Sequence, residues 1–350
     1  MAKQANKPTI RDVAADCGLS IATVSAVVNN AGWVPAVTRS KVEHSIQVLG
    51  YRPNRLARGL KTSQSYTVGV IVSDVTNPFF TDIVRSLGHV LRENDRNLVL
   101  CESEHEFNLG DRNFRMLLEK QVDAIVLIGD SVSEDLLKEY RRNGDVPIVA
   151  IERDYDIDGI SKLLVDSEKG AFEATRHLLD QGFERVGMIS GPSTGPGSAT
   201  YGRLKRCLGY ERALGESGLP VLPELVVEGD FRIEGGRRAM EQLLDLDLRP
   251  DAVFAANDLM ALGAMQAIRD RGLAVPGDIG LVGYDDIPMV EHASTPLTTL
   301  AMPRKELGGI AATLILEKIA GRGDNEPVRR IFSCEMKVRQ SSKRLIPFLS

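Results

Sequence analysis

Polar and aromatic side chains recur just after short apolar segments in this 350-residue chain. Carboxylates and an arginine can form paired hydrogen bonds with vicinal hydroxyl groups, and an aromatic ring can cover the apolar face of a sugar ring. This mixture is therefore typical of a site that binds a small polar ligand such as a carbohydrate. The candidate residues are Ser73, Asp74, Phe79, Glu152, Arg153, Arg206, Phe231, Asn257 and Asp285.

Some of these positions have a structural explanation as well. Residues 152–153 could simply pair with each other, and residues 73–74 fit a structural role as well as a binding role. Asp258, next to one candidate, is explained as a helix cap, because aspartate is a favoured capping residue. Arg206 and Asp285 are harder to explain as structure, so the pattern favours ligand contact for both.

The elements that must position these residues alternate regularly. Short apolar segments, among them VGVIV, AIVLI, VGMIS and AVFAA, are each followed by an amphipathic helical pattern, and the cycle restarts after Val165. Alternation at this spacing predicts parallel sheets covered by helices on both faces, here as two Rossmann-like lobes. Ligands bind beyond the carboxyl ends of such strands, which is where the candidates lie.

Nothing in the sequence points to catalysis or to a metal. No motif of a catalytic serine, a phosphate-binding loop, a zinc protease or a dinucleotide site stands in the right context. The five histidines are scattered, and the four cysteines show no paired spacing. We therefore expect no catalytic residue, no metal site and no cofactor, although an enzyme on a Rossmann-like scaffold remains an alternative.

The first residues of the chain and the length of its apolar runs indicate where in the cell the protein is expected. The first ten residues lack the apolar core of a signal peptide, and no run of 18 apolar residues occurs. The sequence therefore predicts a cytoplasmic protein, which argues against a second alternative, a binding protein for transport.

Charge is distributed unevenly along the chain. Residues 1–61 contain nine Lys or Arg and three acidic residues, a net charge of +6, whereas the whole chain has −5. Residues 62–350 therefore carry −11. A basic end on an acidic body indicates that only one end meets a polyanion, the alternative being a solvated basic tail.

Apolar periodicity within the basic segment predicts three short helices. Thr9 can cap a helix over 10–17, and Ser20 can cap a second helix over 21–29. A third helix is predicted over 38–49. Between the first two, the spacing of Ala14, Gly18 and Val24 provides a small contact residue, a tight turn and a core residue, as in a helix-turn-helix.

The chain resembles the lactose-repressor (LacI/GalR) family over nearly its whole length. The headpiece resemblance lies in TIRDVAADCGLSIATVSAVVNN and TRSKVEHSIQVLGYRPNRLARGLK. It continues in VGVIVSDVTNPFF, VDSEKGAFEATRHLL, AANDLMALGA, VGYDDIP and PLTT. The resemblance implies an N-terminal all-α helix-turn-helix headpiece and an α/β, periplasmic-binding-protein-like sensor of two Rossmann-like lobes.

In that family the second helix approaches base edges in the major groove, and paired hinge helices enter the minor groove, where a leucine wedges into a base step. Leu60 matches that leucine; the alternative for the hinge is a flexible linker. Ala26 stands where arginine is common. The DNA-contact positions that the resemblance implies are Thr9, Ser20, Ile21, Ala22, Thr23, Ser25, Ala26, Asn29, Asn54, Arg55, Ala57 and Leu60.

For the sensor, the resemblance implies effector contacts at Arg206, Phe231, Asn257 and Asp285. It further implies a homodimer on a pseudo-palindromic operator, with affinity controlled by a small effector, and three crossings between lobes, near residues 163, 290 and 322. The predicted boundaries are 8–53 for the headpiece, 54–64 for the hinge and 65–350 for the sensor, with one lobe over 65–163 and 291–321 and the other over 164–290 and 322–342.

Overall fold

The computed structural model describes residues 8–29, 31–51, 64–129, 132–193, 201–322 and 326–344. The chain forms two compact units, Met1–Ser65 and Tyr66–Ser350, here called the headpiece and the sensor. The predicted hinge contacts Asn54, Arg55, Ala57 and Leu60 lie outside the described residues. No helix in the described ranges is long and apolar enough to cross a membrane.

Within residues 8–29 and 31–51, the headpiece forms three helices, α1 (Ile10–Cys17), α2 (Ile21–Val28) and α3 (Ala36–Leu49). A reciprocal capping box between Thr9 and Asp12 starts α1, and the Ser20 hydroxyl accepts the Thr23 N–H at 3.1 Å to start α2. Gly18, at φ +63°, ends α1 in the left-handed region that glycine adopts without strain.

The predicted third helix began too late. It starts at Ala36, two residues before the predicted Thr38, because Pro35 supplies the residue that precedes the first turn. The second helix ends at Val28, with Asn29 as its C-cap. The helices pack around a small core of buried side chains: Val13, Ala14, Cys17, Val24, Val27 and Val42.

The first lobe of the sensor, the N-lobe, has a six-stranded sheet that is parallel throughout, in the order β11-β5-β4-β3-β1-β2. Its strands are β1 (Thr67–Val72), β2 (Asn97–Glu102), β3 (Ala124–Ile128), β4 (Ile148–Ile151), β5 (Ser161–Val165) and β11 (Arg329–Phe332). Its helices are α4 (Pro78–Glu93), α5 (Phe107–Glu119), α6 (Glu134–Arg141) and α11 (Arg304–Ile319).

The second lobe, the C-lobe, has a six-stranded sheet in the order β12-β10-β9-β8-β6-β7, in which only β12 is antiparallel. Its strands are β6 (Val186–Ser190), β7 (Val226–Glu228), β8 (Ala252–Ala255), β9 (Gly280–Asp285), β10 (Thr298–Ala301) and β12 (Glu335–Lys337). Its helices are α7 (Ser167–Asp180), α8 (Tyr201–Glu216), α9 (Ile233–Leu244) and α10 (Asp258–Asp270).

The central strands are continuous apolar runs because helices cover both of their faces. Every residue of β3 and of β8 is buried, as expected for parallel strands in a sandwich of helices. Gly236 and Gly263 let α9 and α10 approach closely, since a Cβ at either position would collide with the backbone of the other helix.

Two of the three predicted crossings between the lobes were misplaced. The chain crosses after β5, near Asp166, close to the predicted position. The second crossing lies at 302–303, not near 290, because β10 pairs with β9 in the C-lobe sheet. The third lies at 333–334, not near 322, because β11 pairs with β5 in the N-lobe sheet.

The crossings share one side of the sensor. They leave from or lead to β5, β10, β11 and β12, which stand at one end of their sheets, whereas β2 and β7 form the opposite edges. The loops that follow β2 and β7 therefore lie farthest from the three covalent connections between the lobes.

Candidate functional site

A cleft of about 550 Å³, including the part open to solvent, lies where the carboxyl ends of both sheets face each other. Seven of the nine sequence candidates line it: Ser73, Phe79, Glu152, Arg206, Phe231, Asn257 and Asp285. Six further lining residues were not among the candidates: Asn77, Phe80, His105, Gly129, Gly202 and Met302.

The missed residues carried a usable signal in most cases. Asn77 and Phe80 flank the candidate Phe79, and Asn77 caps α4 by accepting the Phe79 N–H at 2.9 Å. His105 and Gly129 follow β2 and β3, so the rule that ligands bind beyond strand ends applies to both. Gly202 lies in the first turn of α8, and nothing in the sequence marks it.

Arg206 reaches the cleft from α8 with only 9% of its surface exposed. Its guanidinium carbon lies 4.8 Å from the centre of the Tyr284 ring, a cation–π contact that holds the charge in place. Its Nε is buried without a hydrogen-bond partner among the described residues. A buried donor of this kind gains most from a ligand that brings an acceptor.

Asp285 ends β9 with 5% of its surface exposed and a φ of +113°, a backbone conformation that side chains rarely adopt. Burial raises its pKa well above the usual range, and the negative charge of Asp258 raises it further, while Arg206 opposes both. A ligand that donates hydrogen bonds to this carboxylate would stabilise its charged form.

Asp258 does not line the cleft but holds the segments around it in place. It is fully buried, accepts the Thr299 hydroxyl at 2.6 Å and accepts the Ile287 N–H at 2.8 Å. Burial raises its pKa to about 7. It thereby ties α10 to the segment that follows Asp285 and to β10, the strand that pairs with β9. The helix cap is Asn257 instead, which accepts the Met260 N–H at 2.9 Å.

Three of the lining candidates are already bonded to the protein. Asn257 also donates from Nδ2 to the Phe231 carbonyl at 2.9 Å. Ser73 donates to the Ile128 carbonyl at 3.2 Å. Glu152 accepts the Val165 N–H at 2.7 Å and is 8% exposed. These residues shape the cleft wall, so Arg206 and Asp285 are the stronger candidates for direct contact.

Two sequence candidates do not line the cleft. Asp74 is buried and accepts the Thr76 N–H and hydroxyl on the same oxygen, at 2.7 and 2.6 Å. Arg153 points to α6, where its Nη2 lies 3.7 Å from Glu134, and its guanidinium carbon lies 5.2 Å from the Tyr155 ring centre. Both follow a strand, but their side chains turn away from the ligand space.

In the headpiece, several implied DNA contacts have structural partners. Thr9 and Ser20 are the helix caps described above, and the Ser20 hydroxyl also bonds to that of Thr23 at 2.9 Å. Asn29 donates from Nδ2 to the Ser25 carbonyl at 2.8 Å. Ile21, Ala22 and Ala26 offer only apolar groups, and α2 carries no charged residue.

A basic helix-turn-helix unit and a two-lobed sensor with a polar cleft together define a ligand-responsive transcription regulator. The comparisons agree with this class. Residues 9–54 match the lacI family of bacterial regulatory proteins, and residues 65–340 match the periplasmic binding proteins and sugar binding domain of the LacI family. The chain belongs to the LacI family and is a DNA-binding transcription regulator, not an enzyme.

Individual relatives cover nearly the whole chain. It is 36% identical over 344 residues to the HTH-type transcriptional repressor CytR of Escherichia coli (strain K12), which covers 98% of each protein. A transcriptional regulator CelR–cellobiose complex matches with a TM-score of 0.71 and 33% identity, over 95% of this chain and 99% of that one. A lac repressor dimer bound to operator and the anti-inducer ONPF matches with a TM-score of 0.82 and 26% identity, over 96% and 99%.

Proposed function

We propose that this protein is a homodimeric repressor whose affinity for a pseudo-palindromic operator is controlled by a sugar or sugar derivative bound in the cleft. The observation that carries the effector class is that the cleft holds two buried groups with opposite needs. Arg206 has a donor that lacks an acceptor, and the Asp285 carboxylate needs hydrogen-bond donors. A molecule with neighbouring hydroxyl groups donates to one and accepts from the other.

The apolar part of the lining supports a ring-shaped effector. Phe79 and Phe80 meet edge to face with ring centres 5.1 Å apart, and Phe231 lies on the C-lobe side. Aromatic faces cover the apolar C–H surface of a sugar ring while polar groups take its hydroxyls. The CelR–cellobiose complex fits this class, as does the structure of a LacI family transcriptional regulator from Enterococcus faecium with bound ribose.

The route from the cleft to DNA follows from the two-lobe architecture. An effector that binds one separation of the lobes better than another shifts their equilibrium, and only this difference in affinity can change DNA binding. The headpiece binds the operator in the cytoplasm, with the exposed start of α2 in the major groove. The residues proposed to approach base edges are Ile21, Ala22 and Ala26.

The test begins by recovering bound DNA from a genomic library with the full-length protein, which identifies an operator. Thermal unfolding is then followed with ribose, cellobiose and a panel of other sugars and nucleosides, since a ligand that binds only the folded state raises the Tm. We expect a sugar or riboside to raise the Tm of the sensor and to change operator affinity. A sugar-free metabolite as the sole effector would contradict the proposed class.

A further inference from the structure

The loops after the two edge strands meet across the cleft. The loop after β2 contains His105 in the N-lobe, and the loop after β7 contains Phe231 and Arg232 in the C-lobe. Both loops lie on the side opposite the three crossings that the described residues make between the lobes. Contacts between these loops lie farthest from the connections about which the lobes would rotate, so they oppose opening of the cleft most effectively.

The first contact is aromatic. The Phe231 ring stacks on the His105 ring with centres 6.0 Å apart and planes inclined by 28°. Phe231 adopts a φ of +64° to reach this position, a conformation that costs an ordinary side chain energy. The hydrogen bond from Asn257 to the Phe231 carbonyl fixes this backbone, and the lack of a side chain at Gly191 leaves room for the ring.

The second contact is electrostatic. Arg232 Nε lies 3.9 Å from Asp74 Oδ2, the oxygen that Thr76 leaves unused. Asp74 is 3% exposed, so its charge is shielded from water and gains from a cation on the other lobe.

His105 stands between these groups. The pKa of His105 is lowered, and burial is the main cause. Arg232 adds to this shift, whereas Asp74 and Glu102 oppose it. The neutral ring stacks on Phe231 with Nδ1 buried and without a hydrogen-bond partner among the described residues. His105 thus lines the cleft and packs against Phe231 at the same time.

We propose that Asp74, His105, Phe231 and Arg232 form a cross-lobe latch that holds the cleft closed at its free side. The latch positions the lobes for the effector and sets how easily the cleft opens to admit or release it. Its link to effector exchange rests on the function proposed above, whereas the latch itself requires no ligand.

The test is amide hydrogen exchange on the full-length protein without ligand. Arg232→Gln, a substitution in the C-lobe, should speed exchange of the N-lobe segment 103–107 by about two- to tenfold, as should His105→Ala, because exchange follows the opening equilibrium. The amides of His105 and Glu106 are bonded inside the N-lobe, at 3.2 and 2.7 Å to the carbonyls of Ser73 and Ser103, so their exchange reports how often this loop loosens once its contacts with the C-lobe are lost.

Matched variants separate the latch from local effects. Arg271→Gln breaks an ion pair of 2.7 Å with Asp245 inside the C-lobe and should leave segment 103–107 unchanged. His105→Phe keeps a stacking ring and should exchange closer to wild type than His105→Ala. Unchanged exchange of 103–107 in Arg232→Gln would overturn the latch. An effector that fails to bind while these exchange results hold would instead count against the proposed function alone.

Discussion

Six buried apolar side chains form the core of the headpiece among the described residues, whereas the sensor has two larger cores. One of them runs through both sheets, and the other covers the second face of the N-lobe sheet. The headpiece helices have only 8, 8 and 14 residues, and helices of that length are marginal alone in water. Its caps and turns therefore matter as much as its core. The sensor, by contrast, is held by parallel sheets covered on both faces.

The two regions also meet their ligands by different physics. The first 61 residues carry a net charge of +6 and the remainder −11, so long-range attraction to DNA belongs to the basic end. The cleft instead presents the buried Arg206 and the buried carboxylates of Glu152 and Asp285 to a ligand at short range. We expect DNA binding by the headpiece to depend on ionic strength, and effector binding by the sensor to depend on individual hydrogen-bonding groups of the ligand.

The largest expected difference between the two regions is the salt dependence of their binding. Raising the salt concentration from 50 to 200 mM should weaken operator binding by about 10³- to 10⁵-fold if 6–10 phosphates are contacted. Effector binding should change far less, because its charged groups are buried. Titrations of operator and of effector over the same salt series measure both slopes, and equal slopes would erase the distinction.

Asp285→Ala should remove the effector response and spare DNA binding. Loss of a hydrogen bond to a charged group costs about 1.5–3 kcal/mol, or roughly 10- to 150-fold in effector affinity. Operator affinity without effector should stay within a few-fold, because the headpiece is a separate unit. Asp245→Ala, which removes an exposed carboxylate outside the cleft, is the control; a normal response in Asp285→Ala would remove Asp285 from the site.

Ala26→Arg tests what α2 reads. Alanine has no donor, whereas arginine can bind O6 and N7 of guanine, a contact that contributes about 1–3 kcal/mol of discrimination. A randomised-operator selection on both proteins should show a new guanine at one symmetric pair of positions. Identical half-site preferences would mean that residue 26 does not face the bases.

Ser20→Ala should weaken the headpiece without touching the sensor. The Ser20 hydroxyl accepts the Thr23 N–H, and loss of such a cap costs about 1 kcal/mol of helix stability. We expect lower operator affinity and an unchanged unfolding transition of the sensor, measured by calorimetry. Ser20→Asp, which can also cap, should restore helix stability.

The smallest effect is spectroscopic. Trp33 is the one tryptophan of the sequence, lies between α2 and α3 and is 87% exposed. Operator DNA should change the fluorescence of Trp33, because an exposed indole close to α2 loses contact with water when α2 binds DNA. Effector alone should leave the signal unchanged, since the sensor has no tryptophan, and a response to effector without DNA would contradict this separation.

Local patterns predicted the headpiece well. Thr9, Ser20 and Gly18 act through neighbours within a few residues, so caps and turns follow directly from sequence. The start of α3 was missed by two residues because both Pro35 and Thr38 were compatible with a helix start. The hinge positions, from Asn54 to Leu60, remain predictions that lie outside the described residues.

The sensor shows what the sequence by itself determined and what tertiary structure decided. Alternating apolar segments determined the α/β class, and residues after strands marked the cleft, because parallel strands end at one edge. Tertiary structure decided that Asp74 faces Arg232, that β10 and β11 join their respective sheets, and that His105 meets Phe231. Each of these pairs residues far apart in the chain, and strand order and side-chain direction are set by packing that no local pattern encodes.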